Sequence, residues 1–314
     1  MSRIFMLGAT GTIGKTTLNE LLRRGHDVVC FGRSSTTSCG NARNGDVTDP
    51  ASIERDGFRG ESFDAVVSCM ASRSGSPKDA WAIDHKAHSH VLNAAQIANV
   101  KHFVLLSALC VQKPQLAFQH AKLTFEAELI ASGLTYSIVR PTAYFKSLSG
   151  QVARVKKGRP YVVFGDGRLT SCKPISDRDL ASFIANCLDD RDLQNIVLPI
   201  GGPGPARTPR EQGENLFQLL GRPPRFRNVP VAMMDAVIAT LGALGKLSPR
   251  LANKAEIARI GRYYATESML VLNPATQRYD AEVTPSYGSD TLQAFHAQLI
   301  AGDTTLDLGE HAVF

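Results

Sequence analysis

The sequence predicts an α/β fold, a doubly wound parallel sheet joined to a smaller C-terminal lobe. Three observations predict it. The chain opens on a short apolar run, Arg3–Leu7, that passes through a glycine-rich turn into a helical pattern. Strand and helix patterns then alternate up to residue 140, the order of a sheet covered on both faces. Beyond Tyr144 the alternation loosens, and Gly201-Gly202-Pro203-Gly204-Pro205 reads as a loop that hands the chain to another lobe.

The first turn is Gly8-Ala9-Thr10-Gly11-Thr12-Ile13-Gly14, and a helix is predicted over residues 15–24. Three glycines at this spacing, between a strand and a helix, form a phosphate cradle. The first turns the chain off the strand. The second lets backbone N–H groups approach a pyrophosphate, and the third lets the helix pack close to the sheet. The helix N-terminus adds partial positive charge. Gly8, Thr10, Gly11, Thr12, Ile13 and Gly14 are therefore expected around a dinucleotide, and the fold is expected to be Rossmann-like.

Residues 27–31 form the second strand, followed by Arg33 and Ser34. An acidic residue here would accept hydrogen bonds from a ribose 2′-hydroxyl. A guanidinium pairs instead with a 2′-phosphate, so NADPH is expected over NADH. A short third strand precedes Gly45, and Asp46 is placed to face the adenine. Asp49 reads as the N-cap of a helix opened by Pro50. Residues 64–69 form a fourth buried strand, whose end brings Ala71 and Ser72 toward the cofactor's ribose. A long helix follows over 81–98. Its His85, His88 and His90 lack the i, i+4 spacing of a metal pair and read as helix surface.

Residues 102–107 form a fifth strand, 116–131 a helix and 135–140 a sixth strand stopped by Pro141. Ligands of such sheets bind beyond the carboxyl ends of the strands. The cradle, Arg33, Ala71, Ser107 and Pro141 all stand at those ends. Later strands are expected at 161–164 and 195–200. The helical pattern at 231–244, with Met233, Met234 and Leu241, suits core packing or a lid over a large flat apolar ligand. Residues 1–200 are assigned to the dinucleotide domain, with 146–180 contributing to the second lobe, and 201–314 to a substrate-binding or lid region.

Composition narrows the function. A hydrophobic share of 43% and a charged share of 20% are those of a globular chain. The net charge of +6 is dispersed, without the basic runs and interleaved aromatics of a nucleic-acid groove. None of the six cysteines forms a C-x-x-C pair, which argues against a metal cage and for a reducing, cytoplasmic compartment. No secretory or transit segment is apparent ahead of the cradle, and the apolar run after residue 230 is too short to span a membrane.

The cradle resembles that of the short-chain dehydrogenase/reductase superfamily. There a Ser ends the fifth strand and a Tyr-x-x-x-Lys pair follows on the next helix. Here Ser107 is present, but the pair reads Phe118-Gln119-His120-Ala121-Lys122. The resemblance implies that Lys122 holds the nicotinamide ribose. A phenyl ring cannot move a proton, so ordinary ketone reduction is not expected. Longer stretches are more specific: 67–73, 105–114, 136–148 (with Arg140-Pro141-Thr142-Ala143-Tyr144), 156–167, 198–204 and 260–269 (with Ile260-Gly261-Arg262-Tyr263-Tyr264). Together they resemble the divinyl (proto)chlorophyllide 8-vinyl reductase family. Plant members of that family carry a transit peptide, so a bacterial type is expected.

That resemblance implies NADPH-dependent reduction of a vinyl group to ethyl on a magnesium tetrapyrrole. The reacting bond is C=C, so no alkoxide needs a proton and the missing tyrosine is explained. Hydride would reach the terminal vinyl carbon, and a proton the inner one. The protein's part is to place the reactants in a dry slot. The magnesium arrives with the substrate, so no protein metal site is implied. Lys122, Ser107 and Tyr144 are the expected catalytic set, with Tyr144 ahead of Tyr263, Tyr264 or water as proton donor. Arg140, Lys146, Lys173 and Arg262 are candidates for the propionate, and 231–244 for peripheral contact with a photosynthetic membrane. An isoflavone-reductase-like enzyme and a non-catalytic NmrA-like NADP-sensing regulator are the other readings of this scaffold.

Overall fold

Four apolar residues behind Arg3, with no helical period, make β1 (Arg3–Leu7), and the glycine turn delivers the chain into α1 (Thr12–Arg23). The computed structural model describes residues 1–33, 39–246 and 248–305. Next come β2 (Asp27–Gly32), β3 (Ala42–Asn44), α2 (Pro50–Ser52), β4 (Ala65–Ser68), α3 (Pro77–Ala80), α4 (His88–Ile97), β5 (His102–Leu106), α5 (Ala117–Ala131) and β6 (Thr135–Pro141). The chain continues through α6 (Phe145–Leu148), α7 (Val152–Lys156), β7 (Tyr161–Phe164), α8 (Asp177–Asp189), β8 (Ile196–Ile200), α9 (Pro209–Leu219) and β9 (Phe226–Val229). It closes with α10 (Val231–Gly245), α11 (Pro249–Thr266), β10 (Val271–Asn273), β11 (Arg278–Asp280) and α12 (Leu292–Ala301).

The chain divides into two compact units, one of residues 1–73, 77–141 and 177–199, the other of 74–76, 142–176 and 200–314. The first holds a seven-stranded parallel sheet in the order β3-β2-β1-β4-β5-β6-β8. Strand order reverses between β1 and β4, and the crevice at such a switch point is where ligands bind. An aromatic cluster fills one face of the sheet. Phe5 stacks on Phe58 at 4.2 Å and meets Phe63 edge-on at 5.3 Å. Each fully buried ring of this kind contributes about 1.5–3 kcal/mol. On the other face α1 lies against α8, where Arg24 at the C-terminus of α1 donates to Asn186 Oδ1 (2.8 Å) and Ser182 Oγ (3.1 Å).

Two boundaries differ from expectation. Helix α1 begins at Thr12, because Gly11 already serves as its N-cap and accepts the Lys15 N–H at 2.8 Å. The helix expected over 81–98 starts at Pro77 and passes through a wide π-turn, Trp81–Ala87, before α4. The extra residue of a π-turn redirects side chains, and such turns gather at functional sites. Here the turn carries Asp84 inward.

In the second unit β7 and β9 pair in parallel, and Val152, Val155, Tyr161, Val163, Leu216 and Phe217 form a core. His296 on α12 is buried against Ser149 Oγ (3.1 Å), and burial pushes its imidazole down to about 4, so it is neutral at pH 7. Helix α9 has a full capping box between Thr208 and Glu211. Helix α10 departs from the core-packing reading: none of its side chains is buried.

Candidate dinucleotide and active site

The cradle is built by backbone crowding. Gly8 has φ +75°, and a Cβ there would fall 2.5–2.6 Å from the Cys69 and Met70 backbone at the end of β4. A Cβ on Gly14 would lie 2.0 Å from Gly8 O. So Gly8 permits the close approach of the neighbouring strand, and Gly14 lets the turn close on itself, rather than the helix on the sheet. Gly8 O accepts the Gly11 N–H at 3.1 Å. Gly11 differs: its Cβ would meet only Gly8 O, at an ordinary 3.5 Å. Thr10, Gly11 and Thr12 are exposed, Ile13 is half-buried, and Gly11 brings no side chain to the first helical amides. An exposed turn at a helix N-terminus, with no Cβ at its centre, fits a pyrophosphate.

Arg33 follows β2 at the same end of the sheet and is exposed; Ser34 lies outside the described residues. Asp46 is exposed, and its Oδ1 accepts from Thr48 N (2.8 Å) and Thr48 Oγ1 (2.7 Å). These bonds hold its carboxyl below the usual range, with Arg33 adding a smaller pull.

Beyond β4, Ala71 is exposed and Ser72 half-buried. The Ser72 N–H donates to Asp84 Oδ1 at 3.2 Å. The same oxygen lies 3.0 Å from Lys122 Nζ. Asp84 is 1% exposed and Lys122 9%. Asp84 Oδ2 is also buried and has no hydrogen-bond partner. The start of the helix that carries Lys122 is fixed by Gln119. Gln119 is fully buried, accepts from Gln115 N (2.7 Å) and Leu116 N (2.9 Å), and donates to Cys110 O (3.0 Å). Phe118, in the tyrosine's place, is half-buried.

His88 is not on the surface. It is buried against Phe125, and its Nδ1–H donates to Ile83 O (2.8 Å), so Nε2 accepts the Ser68 hydroxyl (2.8 Å). Burial, then the Lys122 charge, pushes its imidazole down to about 4. The neutral ring therefore braces the end of β4. His85 is half-buried and meets Glu128 Oε1 at 2.6 Å.

Ser107 is buried after β5, and its hydroxyl donates to Glu126 Oε1 in a short hydrogen bond. Glu126, 2% exposed on α5, also takes Arg140, whose Nε lies 3.2 Å from Oε1 and whose Nη2 bonds Oε2. Arg140 is thus paired with Glu126. Lys173 donates to Thr284 O (2.9 Å) and to Ser286 Oγ (3.2 Å), and Arg262 pairs with Asp235. Pro141 is buried and ends β6.

The strand ends thus bring the cradle, Arg33, Ala71, Ser72, Ser107, Lys122 and Pro141 into one unit, along one edge of its sheet. Tyr144 belongs to the other unit, where it is half-buried and bridges Ile175. Tyr263 is buried there, edge-on to the exposed Tyr264 at 5.7 Å. Asp84 and Glu126 were missed in the sequence. The available signal was a carboxylate within an apolar helical face, Glu126 beside Phe125 and one turn from Leu129.

A profile of NAD(P)H-binding proteins matches residues 8–191. The fold is similar to that of the NADPH-dependent quinone oxidoreductase QOR2 of Escherichia coli, solved with NADPH, at a TM-score of 0.66 over 94% of this chain and 99% of that one, with 18% identity. The chain is 52% identical over 333 residues to the divinyl chlorophyllide a 8-vinyl-reductase of Oryza sativa subsp. indica, covering 99% of this chain and 82% of that one. It is 50% identical over 332 residues to the Arabidopsis thaliana protein of the same name, covering 98% and 79%. Identity of about half, sustained from the cradle through the second unit, means that this chain is an oxidoreductase of the divinyl chlorophyllide a 8-vinyl reductase family.

Proposed function

We propose that this chain uses NADPH to reduce the 8-vinyl group of a divinyl chlorophyllide or protochlorophyllide to ethyl, in chlorophyll or bacteriochlorophyll synthesis. One observation carries the chemistry: residue 118 is phenylalanine, while Lys122 is intact and the Ser107 hydroxyl already donates its hydrogen bond to Glu126. With no tyrosine beside Lys122 to protonate a carbonyl oxygen, the site suits a carbon–carbon double bond and not a ketone.

In this reading the amides of Gly11 to Gly14 hold the pyrophosphate, and Arg33, beside Ser34, takes the 2′-phosphate. Asp46 lies on the adenine side. Ala71, Ser72 and Pro141 wall the nicotinamide half, and Lys122 holds its ribose. When bound, NADPH supplies the hydride equivalent that reaches the terminal vinyl carbon, and the macrocycle spreads the resulting charge. Tyr144 delivers the proton to the inner carbon. Ser107, fixed by Glu126, shapes the wall.

The test is to mix purified protein with divinyl chlorophyllide or protochlorophyllide and NADPH, and to follow the Soret band and product mass. A blue shift with a gain of two hydrogens is expected. NADPH binding without turnover of any divinyl pigment would favour the regulator reading. Arg33→Asp is expected to weaken NADPH on the order of 10–100-fold, the loss of a charge-assisted bond, and to leave NADH nearly unchanged. Equal loss for both cofactors would refute the Arg33 assignment.

We assign α10 to peripheral contact with an anionic lipid surface. No helix among the described residues is long and apolar enough to cross a membrane. Helix α10 is nonetheless apolar, with Met233 54% exposed, and its Asp235 is paired by Arg262. Exposed Lys246, Arg250 and Lys254 follow it in the chain, cations that anionic headgroups attract. Co-sedimentation with anionic vesicles is expected, and Met233→Asp should abolish it. Protein that stays in the supernatant without that change would leave the face to the macrocycle instead.

A further inference from the structure

We infer that Asp84 is a positioning residue for the cofactor, the buried carboxylate that holds Lys122 where the missing tyrosine no longer stands beside it. The inference rests on the NADPH reading above. Phe118 removes the hydroxyl that Lys122 would have met one turn away on its own helix. The ammonium reaches instead to another element, 3.0 Å from Asp84 Oδ1. That oxygen also accepts the Ser72 N–H at 3.2 Å. One atom thus ties three segments: the π-turn Trp81–Ala87, helix α5 and the loop leaving β4. The loop and the lysine are two of the groups assigned to the nicotinamide half.

A purely structural role accounts for this arrangement poorly. A buried ion pair is weak evidence of stabilisation, because its desolvation offsets its attraction. Asp84 also leaves Oδ2 buried with no partner, a cost that folds remove unless a site requires the group. An ammonium has three N–H donors. Held through one of them, it keeps others for ribose hydroxyls and cannot swing away. The π-turn supplies the geometry, since its extra residue turns Asp84 inward. The same turn opens on Trp81, the single tryptophan of the chain and a built-in reporter of ligand binding.

The test is a binding titration of the full chain, following Trp81 emission and nicotinamide fluorescence, with NADPH and with 2′,5′-ADP as an adenine-half probe. Asp84→Asn keeps an acceptor for Ser72 but loses the charge. It is expected to weaken NADPH about tenfold, the worth of one charged hydrogen bond, and to leave 2′,5′-ADP within about twofold. Adding Asp84→Asn to Lys122→Met should cause no further loss, because Asp84 acts only through the lysine. That double variant leaves no unpaired buried charge. Equal weakening of both ligands, unchanged NADPH binding in Asp84→Asn, or a further fivefold loss when Asp84→Asn is added to Lys122→Met would each overturn the inference. If the unaltered protein binds 2′,5′-ADP but not NADPH, the cofactor reading itself has failed, and the Asp84 inference with it.

Discussion

Gly14→Ala is expected to abolish NADPH binding and to destabilise the first unit at the same time. The new Cβ would lie 2.0 Å from Gly8 O and 2.8 Å from Gly8 C. These are backbone atoms, so no side chain can rotate out of the way. Gly8 cannot retreat, because its own Cα faces the Cys69 and Met70 backbone. Gly8 O is also the acceptor for Gly11 N–H, so any shift turns the amides that face the phosphates. Overpacking of this kind costs about 1–3 kcal/mol in stability. Loss of the aligned amides should weaken the dinucleotide on the order of 100-fold or more. Gly11→Ala is the control. Its Cβ meets only an ordinary contact, but it projects into the face meant for phosphate. NADPH binding should fall while the melting temperature drops only about 2–4 °C, the modest cost of alanine at an N-cap. Calorimetry and a binding titration on both variants decide the matter. Retained binding in Gly14→Ala would refute the cradle as drawn.

The second large effect is expected at Glu126. Glu126→Leu removes the shared acceptor of Ser107 and Arg140 and leaves a guanidinium largely out of water with no counter-charge. Breaking a buried pair from one side costs about 3–5 kcal/mol. The melting temperature should fall on the order of 10 °C. Glu126→Leu/Arg140→Leu should recover most of that loss, because an apolar pair of similar volume replaces an ion pair at little net cost. A fall below about 2 °C in the single variant, or no recovery in the double, would show that Arg140 finds another partner.

Much of the architecture was legible in the chain. The glycine spacing, the alternation up to residue 140, the Arg33 position and the Phe118–Lys122 substitution are all local patterns, set by periods of two or 3.6 residues and by short-range sterics. The end of β4 and the helix after it were less legible. His88 reads as a surface residue from its spacing, yet the π-turn rotates it into the core against Ser68. Helix α10 reads as core from its apolarity, yet its unit packs without burying any of its side chains.

The sequence by itself determined the fold class, the place of the dinucleotide cradle and the absence of a proton-moving group at residue 118. The tertiary structure alone decided which charges meet: Asp84 with Lys122 and Ser72, and Glu126 with Ser107 and Arg140. The reason is physical. A local pattern depends on neighbours along the chain. The partner of a buried charge depends on which distant elements the sheet order brings together, and on which groups burial leaves no water to satisfy.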